Sequence, residues 1–125
     1  MKKILIIADG ALAKHFLERV MNKTSSDNLY DVVTYREKTV PSKKLENFTF
    51  YNFDPTSFDK ISPILNREYY QIMIIVSNKI DAIGTYNNIR KINKEVQIVL
   101  LDRWELEFID SRLELLGSRD VLSCQ

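Results

Sequence analysis

The sequence predicts an α/β protein, a three-layer Rossmann-like fold with a six-stranded parallel sheet in the order 3-2-1-4-5-6. Three observations predict it. Short runs rich in Ile, Val and Leu recur along the chain, too continuously apolar for strands with one wet face and suited to strands buried on both. Longer amphipathic segments separate these runs, as crossover helices must separate parallel strands. The first run passes straight into Ala8-Asp9-Gly10-Ala11-Leu12-Ala13, a strand-to-helix turn of the kind that opens such folds.

Taken in order, strands are expected at residues 3–8, 30–35, 48–51, 72–76, 97–101 and 120–123. The first helix is expected at 11–22, with Leu12, Phe16, Leu17, Val20 and Met21 on its core face and Lys14, Glu18, Arg19 and Lys23 opposite or at its end. Thr24-Ser25-Ser26-Asp27-Asn28 and the charged stretch 36–44, which contains Pro41, read as surface connections. A short helix is expected to begin near Asp54-Pro55-Thr56, where Asp or Thr suits a cap and Pro a first turn, and to end or kink around Pro63. Another is expected at 79–93. A last helix, 103–116, would turn Trp104, Phe108, Leu113 and Leu116 inward and stop at Gly117, a typical C-cap residue.

With 125 residues, 18 Lys+Arg against 17 Asp+Glu and 45% hydrophobic residues, the chain has room for one domain, 1–125, and a core that needs no disulfide or metal. A net charge of +1 supplies no long-range field for nucleic acid, so no nucleic-acid partner is expected. The lone Cys124 and the single His15 do not make a zinc site, which suits a reduced, cytoplasmic location with no metal. Lys2, Lys3 and the run Ile4–Ile7 imitate a signal peptide, but the run stops at Ala8-Asp9-Gly10, and no segment approaches about 18 uninterrupted apolar residues. The chain stops directly after the expected sixth strand, so it is read as the N-terminal part of a longer protein.

Glycine is scarce: Gly10, Gly84 and Gly117 are the three present. In the first turn only the middle glycine of the dinucleotide fingerprint is kept, with Ala8 and Ala13 in the outer places. Gly10 is the one that lets backbone approach a pyrophosphate at the helix N-terminus, so a phosphate site at Ala8, Asp9, Gly10, Ala11 and Leu12 competes with a plain strand-to-helix turn. Arg36 falls where a carboxylate would read the ribose, and an arginine there suits a phosphorylated ribose; the other reading is a solvated charged loop. Ser77-Asn78-Lys79-Ile80-Asp81 contains the guanine-reading string N-K-x-D. No glycine here is followed by lysine, so the phosphate loop a GTPase requires is missing. Ser77 and Asn78 are still placed to line the crevice, while Lys79 and Asp81 read as the start of a helix.

A receiver domain would need clustered acids after its first strand and a Lys after its fifth; Asp9 stands singly and Asp102-Arg103 occupies the place of the Lys. No Ser/His/Asp set forms around His15, and Tyr69, Tyr70 and Tyr86 have no Tyr-x-x-x-Lys companion, Tyr86 being followed by Arg90 instead. The three tyrosines read as strand-edge and surface residues, and no catalytic residue is assigned.

Taken together the segments resemble the RCK or KTN (TrkA-N type) nucleotide-binding domain of potassium uptake regulators. The resemblance spans nearly the whole chain. It is carried by Ile4–Ala13, by Tyr30-Asp31-Val32-Val33, by Phe53-Asp54-Pro55-Thr56 where the family has Gly-Asp-Ala-Thr, by Ile74–Asn78, and by Leu115–Ser123. It implies a non-catalytic regulatory domain that binds NAD(H) or another adenine nucleotide, with NADP admitted by Arg36. Gly10, Ala11 and Leu12 would lie at the phosphates, Arg36 near the ribose, Asp54 near the base, and Ser77 and Asn78 along the groove. It further implies a homodimer or higher homo-oligomer and a membrane potassium transporter or channel subunit as partner, which would hold the domain at the inner face of the membrane. Ala8, Arg36 and Phe53 depart from the family's usual residues. Two other readings stay open: an NAD(P)-dependent oxidoreductase fragment lacking its substrate domain, and a nucleotide-free oligomerisation scaffold.

Overall fold

A computed structural model describes residues 2–23, 27–36 and 46–101. The elements run β1 (Lys3–Asp9), α1 (Ala11–Lys23), β2 (Leu29–Thr34), β3 (Phe48–Asn52), α2 (Phe58–Leu65), β4 (Gln71–Val76), α3 (Lys79–Ile92) and β5 (Gln97–Leu100). The strands form a five-stranded sheet in the order β3-β2-β1-β4-β5, and every pairing is parallel. This is the Rossmann-like arrangement that the alternation of runs predicts. The expected sixth strand at 120–123 and last helix at 103–116 lie outside the described residues.

β1 is the centre of the sheet because it is apolar on both faces. Ile4, Leu5, Ile6 and Ile7 are all at 0% exposure, so their burial contributes on the order of 6–12 kcal/mol before the cost of ordering the chain. Alternation divides them between two layers. Ile4, Ile6 and Ala8 pack with Ala13, Phe16, Leu17 and Val20 of α1, joined by Tyr30, Val32, Phe48, Met73 and Ile75. Leu5 and Ile7 face the other way, with Val33, Ile72 and Ile74, onto Ile61, Ile64 and Leu65 of α2 and Ile89 of α3. On the α1 side Tyr30 stacks on Phe48 with ring centroids 4.5 Å apart.

The structure corrects several details. β1 continues one residue beyond the expected 3–8, Asp9 pairing with Val76, while Ala8 is a buried strand residue as that range has it, paired with Ile75. α2 starts at Phe58, with Ser57 as its N-cap, because Asp54-Pro55-Thr56 forms a closed turn of its own. Pro63 lies inside α2, two residues before its end, where the helix tolerates the missing donor and stops soon after. Tyr69 is buried, contrary to the surface reading, whereas Tyr70 is 42% exposed as that reading requires.

Tyr69 belongs to a polar cluster that the sequence did not suggest. Asp31 points from β2 into the α2 side of the sheet, where its Oδ2 accepts from the Tyr69 hydroxyl at 2.7 Å and from Arg67 Nη1 at 3.0 Å. Arg67 Nη1 also reaches the Tyr51 hydroxyl, at 2.9 Å. Burial, followed by the bond to Asp31, pushes the Tyr69 phenol far above its ordinary value. A buried carboxylate is costly without such partners, and this one has two.

Among the described residues, no helix is long and apolar enough to cross a membrane.

Candidate functional site

In a parallel sheet of this order the connections leave β1 and β4 on opposite faces, which opens a crevice at the carboxyl ends of these two strands. The residues at those ends are Asp9-Gly10 and Val76-Ser77-Asn78. Gly10 has φ +94°, a left-handed conformation that L side chains rarely adopt. Its carbonyl accepts the first helical bond of α1 from Lys14 at 3.2 Å, and it offers no side-chain oxygen to the helix N-terminus behind it. A Cβ at Gly10 would overlap the rotatable Ser77 Oγ and stand 3.5 Å from Ser77 Cβ, so the two turns are neighbours across the crevice.

The two helix starts at the crevice differ. Asn78 caps α3, its Oδ1 accepting from the amides of Ile80 at 2.8 Å and Asp81 at 3.3 Å. The oxygen that was expected along the groove is therefore committed to the helix. α1 begins after glycine, with no acidic residue in its first turn, which keeps this helix start suited to an anion. Ala11 and Leu12 form that first turn, and only their backbone is described.

Arg36 completes the mouth of the crevice. Its backbone N–H donates to Asp9 Oδ1 at 2.9 Å, and its Nη1 donates to Asp9 Oδ2 at 3.1 Å and to Asp81 Oδ2 at 2.7 Å. The bonds to Asp81 and then Asp9 raise the guanidinium pKa still further, keeping it charged at every accessible pH. Arg36 thus lies where the sequence placed it, beyond the end of β2, but it holds two carboxylates of this chain. The negative charge of Asp9, next to the Gly10 turn, is offset by Arg36.

Asp54 stands at the end of β3 and apart from this clasp. Its Oδ1 accepts from the Thr56 amide at 2.9 Å and from the Thr56 hydroxyl at 2.6 Å. The loop that carries it is tied to the middle of α3, where Asn88 Nδ2 donates to the carbonyls of Thr56 at 3.0 Å and Pro55 at 3.3 Å. Gly84 of α3 lies against this loop, a Cβ there standing 3.4 Å from Thr56 Cγ2. Ala8 presents its side chain to the core beneath α1, so its position shapes the turn from below.

The structure therefore brings Asp9, Gly10, Arg36 and Ser77 to one place and adds Asp81, which the sequence reading left as the start of a helix. The signal that could have found Asp81 is the N-K-x-D string itself, which sets an acid in the first turn of a helix that starts at the crevice. His15 is exposed on α1, and no group of three His, Cys, Asp or Glu among the described residues is placed to hold a metal ion.

No family model and no curated protein matches the chain. In fold it is similar to the Kef CTD of Shewanella denitrificans in AMP bound form, with TM-score 0.58 and 14% identity over 96% of this chain and 72% of that one. It is also similar to a short chain dehydrogenase family protein from Francisella tularensis subsp. tularensis SCHU S4, with TM-score 0.51 and 15% identity over 80% of this chain. The match spans half the length of that dehydrogenase family protein, at 50%. At such identities the likeness is one of fold.

Proposed function

We propose that the chain is a non-catalytic regulatory domain that binds an adenine nucleotide in the crevice between β1 and β4 and passes the change to a membrane potassium transporter or channel. The observation that carries this reading is the Gly10 turn: left-handed glycine backbone at the start of α1, beside Ser77 at the switch point of a parallel sheet. Backbone amides there suit phosphate without any net positive charge on the chain. The AMP in the Kef CTD structure supports the same ligand class in this fold.

In this reading Gly10, Ala11 and Leu12 meet the phosphates, Ser77 lines the groove, Asp54 lies toward the base and the Asp9–Arg36–Asp81 clasp toward the ribose. Asn78 acts through the start of α3. Regulation needs a difference of affinity between two states, since a ligand bound equally by both shifts nothing. A nucleotide spanning the β1 turn, the end of β2 and the start of α3 would favour one arrangement of these elements, in a homodimer or larger ring at the cytoplasmic face of the membrane.

The test is a thermal-shift panel of AMP, ADP, ATP, NAD, NADH and NADP on the wild type and on Gly10→Asp. An adenine nucleotide at a hundredfold excess over Kd should add about 2.7 kcal/mol of stability to the wild type. The variant, with a carboxylate in the phosphate place, should show none of it. If no nucleotide shifts the wild type, the sensing role is lost and the nucleotide-free scaffold remains. Turnover of a hydroxy substrate with NAD(P) would instead favour the oxidoreductase reading, for which Tyr86 and Arg90, bonded to each other at 3.3 Å, are the wrong pair.

A further inference from the structure

We propose that Asp81 sets which ribose the crevice accepts, by withholding Arg36 from ligand phosphate. The inference rests on the nucleotide reading above and reverses what Arg36 alone suggested. An arginine beyond the second strand of such a sheet suits a phosphorylated ribose. Here, however, one nitrogen of that arginine, Nη1, lies between two carboxylates, at 2.7 Å from Asp81 and 3.1 Å from Asp9. Its backbone is pinned as well, through the amide bond to Asp9 at 2.9 Å.

The carboxylates are the more sheltered members: the Asp9 and Asp81 side chains are 11% and 19% exposed against 56% for Arg36. A phosphate on the ribose would have to draw the guanidinium away from Asp81, leaving that carboxylate uncompensated beside a group carrying close to two negative charges. A ribose hydroxyl meets no such conflict, since it donates a hydrogen bond to a carboxylate and leaves the clasp closed.

Asp81 is free for this task because the helix does not use it. Asn78 already caps α3, and among the described residues the Asp81 carboxylate bonds to Arg36 alone. Asp81 is thus a positioning residue, acting on the ligand through Arg36.

Calorimetric titration of the full chain with 5′-AMP and with adenosine 2′,5′-bisphosphate tests this, because the two probes differ by the 2′-phosphate alone. The wild type should bind 5′-AMP at least tenfold more tightly. Asp81→Asn should shrink or reverse that ratio by tenfold or more with a melting temperature within a few degrees of wild type, whereas Asp81→Glu should retain the wild-type preference. In an Arg36→Ala background the Asp81→Asn change should no longer move the ratio, which separates the assignment from a general loss of negative charge. A wild type that prefers the bisphosphate, or an Asp81→Asn protein whose two affinities move together, overturns the role of Asp81 and leaves the nucleotide site standing. Binding of neither probe by the wild type or any variant overturns the nucleotide site, and this role with it.

Discussion

Gly10 faces Ser77 across the crevice so closely that a Cβ on the glycine would overlap the serine Oγ, and the glycine holds φ at +94°. Two costs therefore await Gly10→Ala, and their sizes differ. Ser77 is exposed and its hydroxyl turns on a single bond, so the overlap is relieved cheaply. Left-handed backbone at alanine costs about 1–2 kcal/mol and has no such relief. Gly10→Ala should lower stability by that amount in urea denaturation, and adding Ser77→Ala should recover only a few tenths of a kcal/mol. Recovery of most of the loss would show that the overlap, and not the dihedral, makes glycine necessary.

Tyr69 should make the fold sensitive to alkali. Its phenol is buried and donates to Asp31 at 2.7 Å, which holds its pKa well above the ordinary value of 10.0. The unfolded chain releases this proton near pH 10 while the folded chain keeps it, so the folded state binds more protons and loses stability as pH rises. The contribution is complete below about pH 10 and is lost progressively above it. Tyr69→Phe should cost roughly 1.5–3 kcal/mol at neutral pH, the range for a hydrogen bond to a charged group. The difference between the two proteins should then narrow as pH is raised past 10. Parallel stability curves for the two proteins from pH 9 to pH 11.5 would contradict this account.

Asn88 holds the loop that presents Asp54. It is 5% exposed and gives its amide hydrogens to the carbonyls of Pro55 and Thr56. Asn88→Ala should cost about 1–3 kcal/mol through the unmade bonds. Asn88→Asp should cost more, because it sets acceptors against acceptors. If Asp54 lies toward the base, the alanine variant should also weaken 5′-AMP more than inorganic pyrophosphate in calorimetry. Equal weakening of both would detach Asp54 from base recognition.

The strands were legible because each obeys a local rule: Ile4 to Ile7 are apolar without a break, and only a strand covered on both faces accommodates that. The crevice was half legible. Asp9, Gly10 and Arg36 could be placed from their positions relative to strand ends, yet what Arg36 holds could not, since Asp9 and Asp81 lie 27 and 45 residues away from it and no periodicity relates them. Asp31 sits inside the apolar run Tyr30-Asp31-Val32-Val33 with no sequence signal of what it bonds. A charge within a buried strand demands a partner, but nothing local reveals that Arg67 and Tyr69 supply it. Asp54 was read as a helix start because Asp, Pro and Thr suit one, and the Thr56 bonds show the same residues closing a turn on themselves.

The central place of β1 carries a consequence for how the chain is made. Its partners on either side are β2, nearby in sequence, and β4, which begins only at Gln71. During synthesis at about 5–20 residues per second, the edge that will meet β4 stays unpaired for roughly 3–12 seconds after Asp9 has been added. For that interval Ile4 to Ile7 form an apolar strand with one open side, able to recruit any passing strand of similar composition. A nascent chain of this design is most exposed to misassembly before Gln71 is reached, which makes the first half of the sequence the part on which a trigger-type chaperone would have most to do.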